Sequence, residues 1–150
     1  MGKKKVIKKT EEETLKESAS IESKLARSAS RIAKKKFETG RIYINATYNN
    51  TVVTVTDQQG NVITWVSAGS IGFSGPKKST PLAASKVAQA IAEKVRRSGP
   101  FNVDIFIRGL GSGRDSAIRS LAAKGFNINS ISDVTPIPHN GPRAPKERRV

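Results

Sequence analysis

Two clusters of basic residues each stand just before a segment with the apolar spacing of a helix. The first is Lys77-Lys-Ser79, followed by Thr80-Pro81, and the second is the glycine-rich segment Arg108–Arg114. Backbone N–H groups and the helix dipole attract anions to a helix N-terminus, and cations beside it strengthen that attraction. Both clusters therefore predict phosphate binding. Two alternatives stay open, because a lysine pair also suits a solvated loop and a glycine-rich turn also serves close packing.

Polar residues also occupy a predicted hairpin tip and the end of the chain. Asn49, Asn50 and Thr51 at the tip are able to read base edges or ribose hydroxyls, although turn chemistry explains them equally well. The last twenty residues, 131–150, are rich in proline and in basic side chains. Proline lacks a backbone donor and fixes φ, so this segment is predicted to be an extended cationic arm. A solvated tail is the alternative.

The charge of the whole chain agrees with a polyanionic partner. Lys and Arg number 27 against 12 Asp and Glu, which gives a net charge of +15 over 150 residues. Such an excess predicts salt-sensitive attraction to nucleic acid or to an anionic membrane. The chain has no cysteine and one histidine, His139, so no metal site and no cofactor are predicted. No apolar run is long enough to predict a membrane span.

Catalysis has weak support in the sequence. The predicted element order matches the layout of ribonuclease-H-type nucleases, which hold two divalent ions with a carboxylate cluster that begins on the first strand. The first predicted strand, 41–48, contains no acidic residue. The glycine-rich turn also lacks the Gly-Lys-Ser/Thr of a nucleotide-binding loop. A degenerate nuclease remains the enzymatic alternative, and a free-standing nucleic-acid packager remains the non-enzymatic one.

Hydrophobic periodicity predicts the elements that position these residues. Period-2 alternation predicts strands over 41–48, 51–57 and 62–67, with Tyr48 on the apolar face of the first. Apolar spacing after the Thr80 cap predicts a helix, and a strand from Phe101, a shorter helix and a last strand with a bulge near Ser130 follow. The order βββαβαβ predicts an α/β fold. Its mixed sheet has an antiparallel meander and then parallel crossovers, in a ribonuclease-H-like layout.

Three regions follow from these patterns. Residues 1–40 are predicted to be a basic N-terminal extension, either disordered or a helix over 10–36 that needs a partner. Residues 41–135 form the predicted α/β domain, and 136–150 the extended basic arm. No internal repeat is visible in the sequence.

Four blocks of the sequence, in the same order, resemble the universal family of small-ribosomal-subunit protein eleven. They are Tyr48–Thr51, Gly72 to Pro81, Gly109–Arg119 and Asp133–Val150, and the last is closest to bacterial members. The resemblance implies a five-stranded mixed sheet with two helices, on the platform of the small subunit. It also implies that the chain bridges ribosomal RNA helices and lines the cleft for the ribosome-binding segment of messenger RNA. The implied neighbours are small-subunit proteins seven and eighteen and initiation factor three, in the cytoplasm.

Some positions depart from the bacterial pattern of that family. Ser74 stands where an arginine is usual and Glu147 where a basic residue is usual, so the phosphate contacts expected at both positions are in question. Pro142 replaces a usual cysteine, and Leu110 and Ser112 replace usual prolines. These differences concern local contacts and leave the order of the matching blocks intact.

The sequence therefore predicts a non-enzymatic ribosomal protein that binds RNA without a cofactor or a membrane. The residues predicted to contact RNA are Asn49, Asn50, Thr51, Lys77, Lys78, Ser79, Arg108, Arg114, Arg119, His139, Asn140, Arg143, Lys146, Arg148 and Arg149. The Asn140-Gly141 step is sterically open to succinimide formation, and the resemblance also implies an isoaspartate there. We therefore predict partial isoaspartate at position 140.

Overall fold

Five strands and two α-helices make up the part of the chain that the computed structural model describes, residues 37–96 and 99–143. Two 3-10 helices, Gly69–Ile71 and Gly75–Ser79, precede the first α-helix. The strands and helices, in chain order, are β1 Thr39–Ala46, β2 Thr51–Thr56, β3 Val62–Ser67, α1 Pro81–Val95, β4 Asn102–Arg108, α2 Arg114–Ala123 and β5 Asn127–Asp133.

The strands form one mixed sheet in the order β3-β2-β1-β4-β5. β1, β2 and β3 pair antiparallel, whereas β4 runs parallel to β1 and β5 runs parallel to β4. Tight turns permit the antiparallel pairs, and the parallel strands need the helical crossovers α1 and α2. The predicted α/β fold, with its meander followed by parallel crossovers, is confirmed.

The core lies between one face of the sheet and both helices. Alternate residues of the central strands, such as Ile44, Val53 and Ile105, are fully buried. They pack in the same cluster as the apolar faces of the two helices, including Ile91 of α1 and Leu121 of α2. Burial of aliphatic surface is the main stabilising contribution, so both helix starts are held rigidly against the sheet.

The other face of the sheet carries exposed aromatic side chains. Tyr43 of β1 stacks on Phe106 of β4 with ring centroids 5.2 Å apart, and the Arg41 guanidinium lies 6.0 Å from the centre of the Phe106 ring. Trp65 of β3 is 57% exposed on this side. Both described helices lie on the opposite side, so the architecture has two layers.

Local sequence explains where the helices begin and end. The Thr80 hydroxyl accepts a hydrogen bond from the Ala83 N–H at 3.3 Å, and Pro81 occupies the first helical position, where a missing N–H costs nothing. α2 ends at Lys124-Gly125, where Gly125 adopts φ 89°. Glycine accepts this left-handed conformation without the steric cost of a Cβ atom.

Several predicted details are corrected by the structure. β1 ends at Ala46 rather than at Tyr48, because the chain begins to turn at Thr47. The turn at Asn49 and Asn50 uses no positive φ angle, since among the described non-glycine residues only Asn140 has one. Phe101 precedes β4 and is 52% exposed instead of facing the core.

The bulge predicted near Ser130 is confirmed by the register of β5. Ile128 pairs with Val103 and Ser130 pairs with Asp104, so β5 contains one extra residue at this point. The predicted helix over 10–36 lies outside the described residues, as does nearly all of the predicted extension. Within 37–96 and 99–143, neither helix has the length and hydropathy that crossing a membrane requires.

Candidate nucleic-acid interface

Four segments that are distant in sequence meet where the parallel strands β1 and β4 end. They are the turn 47–50 between β1 and β2, the glycine-rich turn 108–114, the 3-10 helix Gly75–Ser79 and the beginning of the arm after β5. In the turn 47–50, two hydrogen bonds join its first and last residues. The Thr47 N–H donates to the Asn50 carbonyl at 2.9 Å, and the Asn50 N–H donates to the Thr47 hydroxyl at 3.0 Å. The Asn50 side chain is half-buried, and its Oδ1 accepts from the Thr51 N–H at 3.0 Å. Asn49 is exposed at the tip, where it is accessible to a partner.

The glycine-rich turn packs directly on the end of β1. The Gly111 N–H donates to the Ala46 carbonyl at 2.8 Å. Gly109 adopts φ 98°, and a Cβ atom at this position would lie 2.2 Å from the Ala46 carbonyl oxygen. Only glycine fits this close approach. The packing alternative for the turn is therefore correct for Gly109, and this packing fixes the position of the neighbouring Arg108.

The lysine cluster joins the same surface through a single hydrogen bond. The Ser112 hydroxyl donates to the Ser79 carbonyl at 2.9 Å, which connects the glycine-rich turn to the 3-10 helix Gly75–Ser79. The Ser79 hydroxyl itself donates to the Pro76 carbonyl at 3.1 Å. Lys77 is exposed and Lys78 is half-buried. The two helix starts predicted as separate phosphate sites thus lie side by side.

Arg114 holds the interface together from within. Its guanidinium donates to the Gly109 carbonyl, to the Thr135 hydroxyl at 3.3 Å and to the Asp133 carboxylate at 2.5 Å. The side chain is only 24% exposed. These bonds direct the guanidinium to groups within the chain, where it connects the turn to the beginning of the arm. The predicted phosphate contact of Arg114 stays a prediction.

Asp133 is held as a carboxylate by the same network. The Thr135 hydroxyl and the Thr135 N–H donate to it at 2.6 and 2.9 Å, and Arg114 adds a hydrogen bond and a positive charge. Together these contacts lower the pKa of Asp133 to about 2. Hydrogen bonds to the ionised form favour that form, so the network remains intact at neutral pH.

Thr51 does not belong to the accessible surface, which corrects another prediction. Its side chain is fully buried, and its hydroxyl has no hydrogen-bond partner among the described residues. A Cβ atom on Gly113 would lie 2.8 Å from that hydroxyl. As the first residue of β2, Thr51 faces the helices and lies beneath the glycine-rich turn. Contact with RNA is therefore excluded in this conformation.

The remaining predicted residues lie on the exterior to different degrees. Arg108 is exposed beside the glycine-rich turn, and Arg119 is exposed further along α2. On the arm, His139, Asn140 and Arg143 are exposed, and residues 134–143 form neither helix nor strand. Lys146, Arg148 and Arg149, together with Glu147, lie outside the described residues.

Two exposed apolar residues beside Arg108 were not predicted from the sequence. Tyr48 is 74% exposed and Leu110 is 68% exposed. Both line a groove of about 420 Å³ together with Arg108, Asn45, Thr47, Gly109 and the first residues of the arm. The sequence predicted the opposite for Tyr48, because its alternation with Ile44 and Ala46 is typical of a residue that faces the core. The Asn49-Asn50 step directly after it was the available signal that the strand ends earlier.

The arrangement favours binding of a polyanion. Lys77 and Lys78 lie in the 3-10 helix that the Ser112–Ser79 hydrogen bond joins to the glycine-rich turn, and Arg108 directly precedes that turn. Among the residues that the structure describes, no group of His, Cys, Asp or Glu side chains is placed to hold a metal ion. A surface of this kind holds phosphates through charge and shape.

Comparison with protein families agrees with this surface and with the sheet. The family model described as Ribosomal protein S11 matches residues 40–149, which is well over half of the chain. The match includes every described strand from β2 onward, both helices and the four converging segments.

Proposed function

The chain belongs to the ribosomal protein S11 family, whose members are small-subunit ribosomal proteins that bind ribosomal RNA, and we propose that it holds together RNA segments of the small-subunit platform. It performs this role as a structural protein of the cytoplasmic ribosome and not as an enzyme. The observation that carries the proposal is the Ser112–Ser79 hydrogen bond, which joins the segment with Lys77 and Lys78 to the glycine-rich turn that follows Arg108. Each cation is exposed or half-buried there.

The proposed contacts divide into three groups. Lys77, Lys78 and Arg108 hold phosphates, with Ser79, Asn49 and Asn50 beside them. His139, Asn140 and Arg143 extend the contact along the arm, which continues to Lys146, Arg148 and Arg149. The exposed Arg119 adds a further cation on α2. A bridging role is proposed from the family resemblance.

The position within the ribosome is proposed from the family resemblance. The proposed neighbours are small-subunit proteins seven and eighteen and initiation factor three. The proposed location is beside the cleft that receives the ribosome-binding segment of messenger RNA. The exposure of the hairpin tip and of the arm residues supports access by such neighbours.

Salt-dependent binding to the small subunit tests the phosphate contacts. A labelled chain would be titrated onto bacterial small-subunit particles that were reconstituted without their S11 protein. The double variant Lys77→Ala/Lys78→Ala is expected to flatten the slope of log K against log salt by about 0.7 to 0.9 for each phosphate that is no longer neutralised. The double variant Lys86→Ala/Lys124→Ala is the matched control, because it removes equal charge from exposed positions on α1 and after α2.

Equal slopes for the two double variants would contradict the proposed surface. A chain that leaves the particles in a high-salt wash, while still binding unrelated RNA, would instead indicate a free-standing nucleic-acid packager. Truncation after Pro138 tests the arm separately. The truncated chain is expected to have a flatter slope of log K against log salt than the full-length chain. An unchanged slope would refute phosphate binding by the arm.

We also propose that Asn140 is partly converted to isoaspartate. Asn140 is exposed, has φ 52° and precedes Gly141, which offers no side chain to hinder attack by the backbone nitrogen. Peptide mapping of the native protein is expected to separate an isoaspartyl peptide from the asparaginyl one. Recovery of the asparaginyl peptide alone would reject this proposal.

A further inference from the structure

The groove beside Arg108 is an open concavity in the candidate interface. It has a volume of about 420 Å³ and lies at the carboxyl ends of β1 and β4. Ligands in open α/β sheets bind preferentially outside the carboxyl ends of the strands. Its volume lies within the range of small-molecule sites, roughly 300–1,000 Å³, which is compatible with one nucleotide.

The walls of the groove are held by hydrogen bonds within the chain. The Gly109 N–H donates to the Thr135 hydroxyl at 3.1 Å, and the Val134 N–H donates to the Ile107 carbonyl at 2.8 Å. The Arg114 guanidinium donates a hydrogen bond to the Gly109 carbonyl. A site that is already formed loses little conformational entropy when it binds a ligand.

The chemistry of the lining combines flat apolar surface with one cation. Tyr48 and Leu110 are the most exposed apolar residues there, at 74% and 68%. Arg108 supplies the positive charge, and the Asn45 amide supplies both a hydrogen-bond donor and an acceptor. An aromatic ring beside an arginine is the combination with which proteins bind unstacked bases of single-stranded RNA.

Building on the proposed RNA-binding function, we infer that this groove binds one unpaired nucleotide of the ribosomal RNA. The base stacks against the Tyr48 ring, and the adjoining phosphate contacts Arg108. The stacked pair Tyr43 and Phe106 on the open sheet face is less suited to this task. Their rings already face one another at 5.2 Å, with an angle of 18° between them.

Chemical probing of base accessibility tests the inference on bacterial small-subunit particles reconstituted with each variant. The wild-type chain is expected to protect one or two unpaired bases as well as nearby backbone. Tyr48→Ala is expected to expose those bases, to leave the backbone footprint in place and to weaken binding about tenfold, within the range measured for a stacked base. Tyr48→Phe keeps the ring, so it is expected to bind within about twofold of the wild type.

The control variant is Trp65→Ala, which removes another exposed aromatic side chain that does not line the groove. It is expected to preserve every protection. If the wild type protects the backbone but Tyr48→Ala leaves every base reactivity unchanged, this inference fails and the proposed function stands. The same holds if Tyr48→Phe loses as much affinity as Tyr48→Ala, because the hydroxyl would then be responsible. Absence of any footprint from the wild type would overturn the proposed function and this inference with it.

Discussion

A hydroxyl without a hydrogen-bond partner lies beneath the candidate interface. Thr51 is fully buried, and no described residue bonds to its Oγ1. A buried polar group in this state destabilises the fold, typically by about 1–3 kcal/mol. The residue nevertheless fills the space below Gly113, where its shape is needed. Thr51 therefore supports the glycine-rich turn by packing and presents no polar group to a partner.

Replacement of Thr51 by valine tests this assignment. Thr51→Val keeps the shape and removes the partnerless hydroxyl, so the free energy of unfolding is expected to stay equal or to rise by about 1 kcal/mol. Urea denaturation measures it, and RNA affinity is expected to remain unchanged. Thr56→Val is the matched control, because the buried Thr56 hydroxyl donates to the Asp57 carbonyl at 3.0 Å. A loss of stability as large as that of Thr56→Val would contradict the interpretation.

The carboxylate of Asp133 gives the fold a defined sensitivity to acid. Its pKa is about 2 in the folded chain because Thr135 and Arg114 stabilise the ionised form, against about 3.9 in an unfolded chain. A lowered folded pKa adds stability that is present above about pH 4 and is lost as the pH falls towards 2. In Asp133→Asn this pH-dependent contribution is expected to be missing.

Denaturant unfolding at about pH 6 and at about pH 2.5, on either side of the unfolded pKa, checks that expectation. The wild type should lose more stability between these pH values than Asp133→Asn does. Glu93→Gln, an exposed change on α1, is expected to behave as the wild type. Equal pH dependence in the wild type and in Asp133→Asn would show that the Arg114 network does not persist in solution.

At the scale of elements, the glycine-rich turn couples β1 to α2. Its residues contact the end of β1 through Gly111 and the lysine cluster through Ser112. The turn therefore orients two helix starts at once, and a displacement there would move both Arg108 and Lys78. The proposed RNA contacts of Arg108 and Lys78 therefore rely on this local packing, even though glycine itself carries no charge.

Alanine substitutions at two glycines with positive φ separate backbone strain from steric conflict. Gly125 has open space around its missing Cβ atom, whereas a Cβ atom on Gly109 would meet the Ala46 carbonyl. Gly125→Ala is expected to cost about 1 kcal/mol, the strain of a left-handed residue. Gly109→Ala is expected to cost about 3 kcal/mol and to weaken RNA binding, because overpacking adds to the strain.

Thermal or urea unfolding of both variants measures the difference. The Gly125→Ala variant serves as the control, since its RNA affinity should match that of the wild type. Similar costs for the two substitutions would mean that the turn shifts freely away from β1. The rigid positioning of Arg108 would then lose its basis.

At the scale of the whole molecule, one core supports the entire described part of the chain. Its buried apolar residues extend from Ile42 to Phe126 and include both helices. The open sheet face adds exposed aromatic side chains without contributing to that core. Since a single core usually unfolds in one transition, we expect residues 37–143 to behave as an independent domain.

A shortened chain of residues 37–143 tests this expectation and the predicted boundary near residue 41. It is expected to unfold in one cooperative transition, with circular dichroism and Trp65 fluorescence changing together. Its RNA affinity should fall and depend less on salt, because cations at both ends of the sequence are removed. A broad or probe-dependent transition would show that residues outside this range complete the core.

The sequence by itself determined the order of the elements and the character of the partner. Alternating strand residues, the Thr80-Pro81 helix start and the bulge near Ser130 depend on local geometry, and the net charge depends on composition alone. Tertiary structure decided which polar residues are accessible. Thr51 is buried, the Arg114 guanidinium is bonded to Asp133, and the early end of β1 leaves Tyr48 exposed near Leu110. The burial of Thr51 and the contact of Arg114 with Asp133 depend on residues distant in the chain, so no local pattern specifies them. The end of β1, in contrast, had a local signal in Asn49-Asn50.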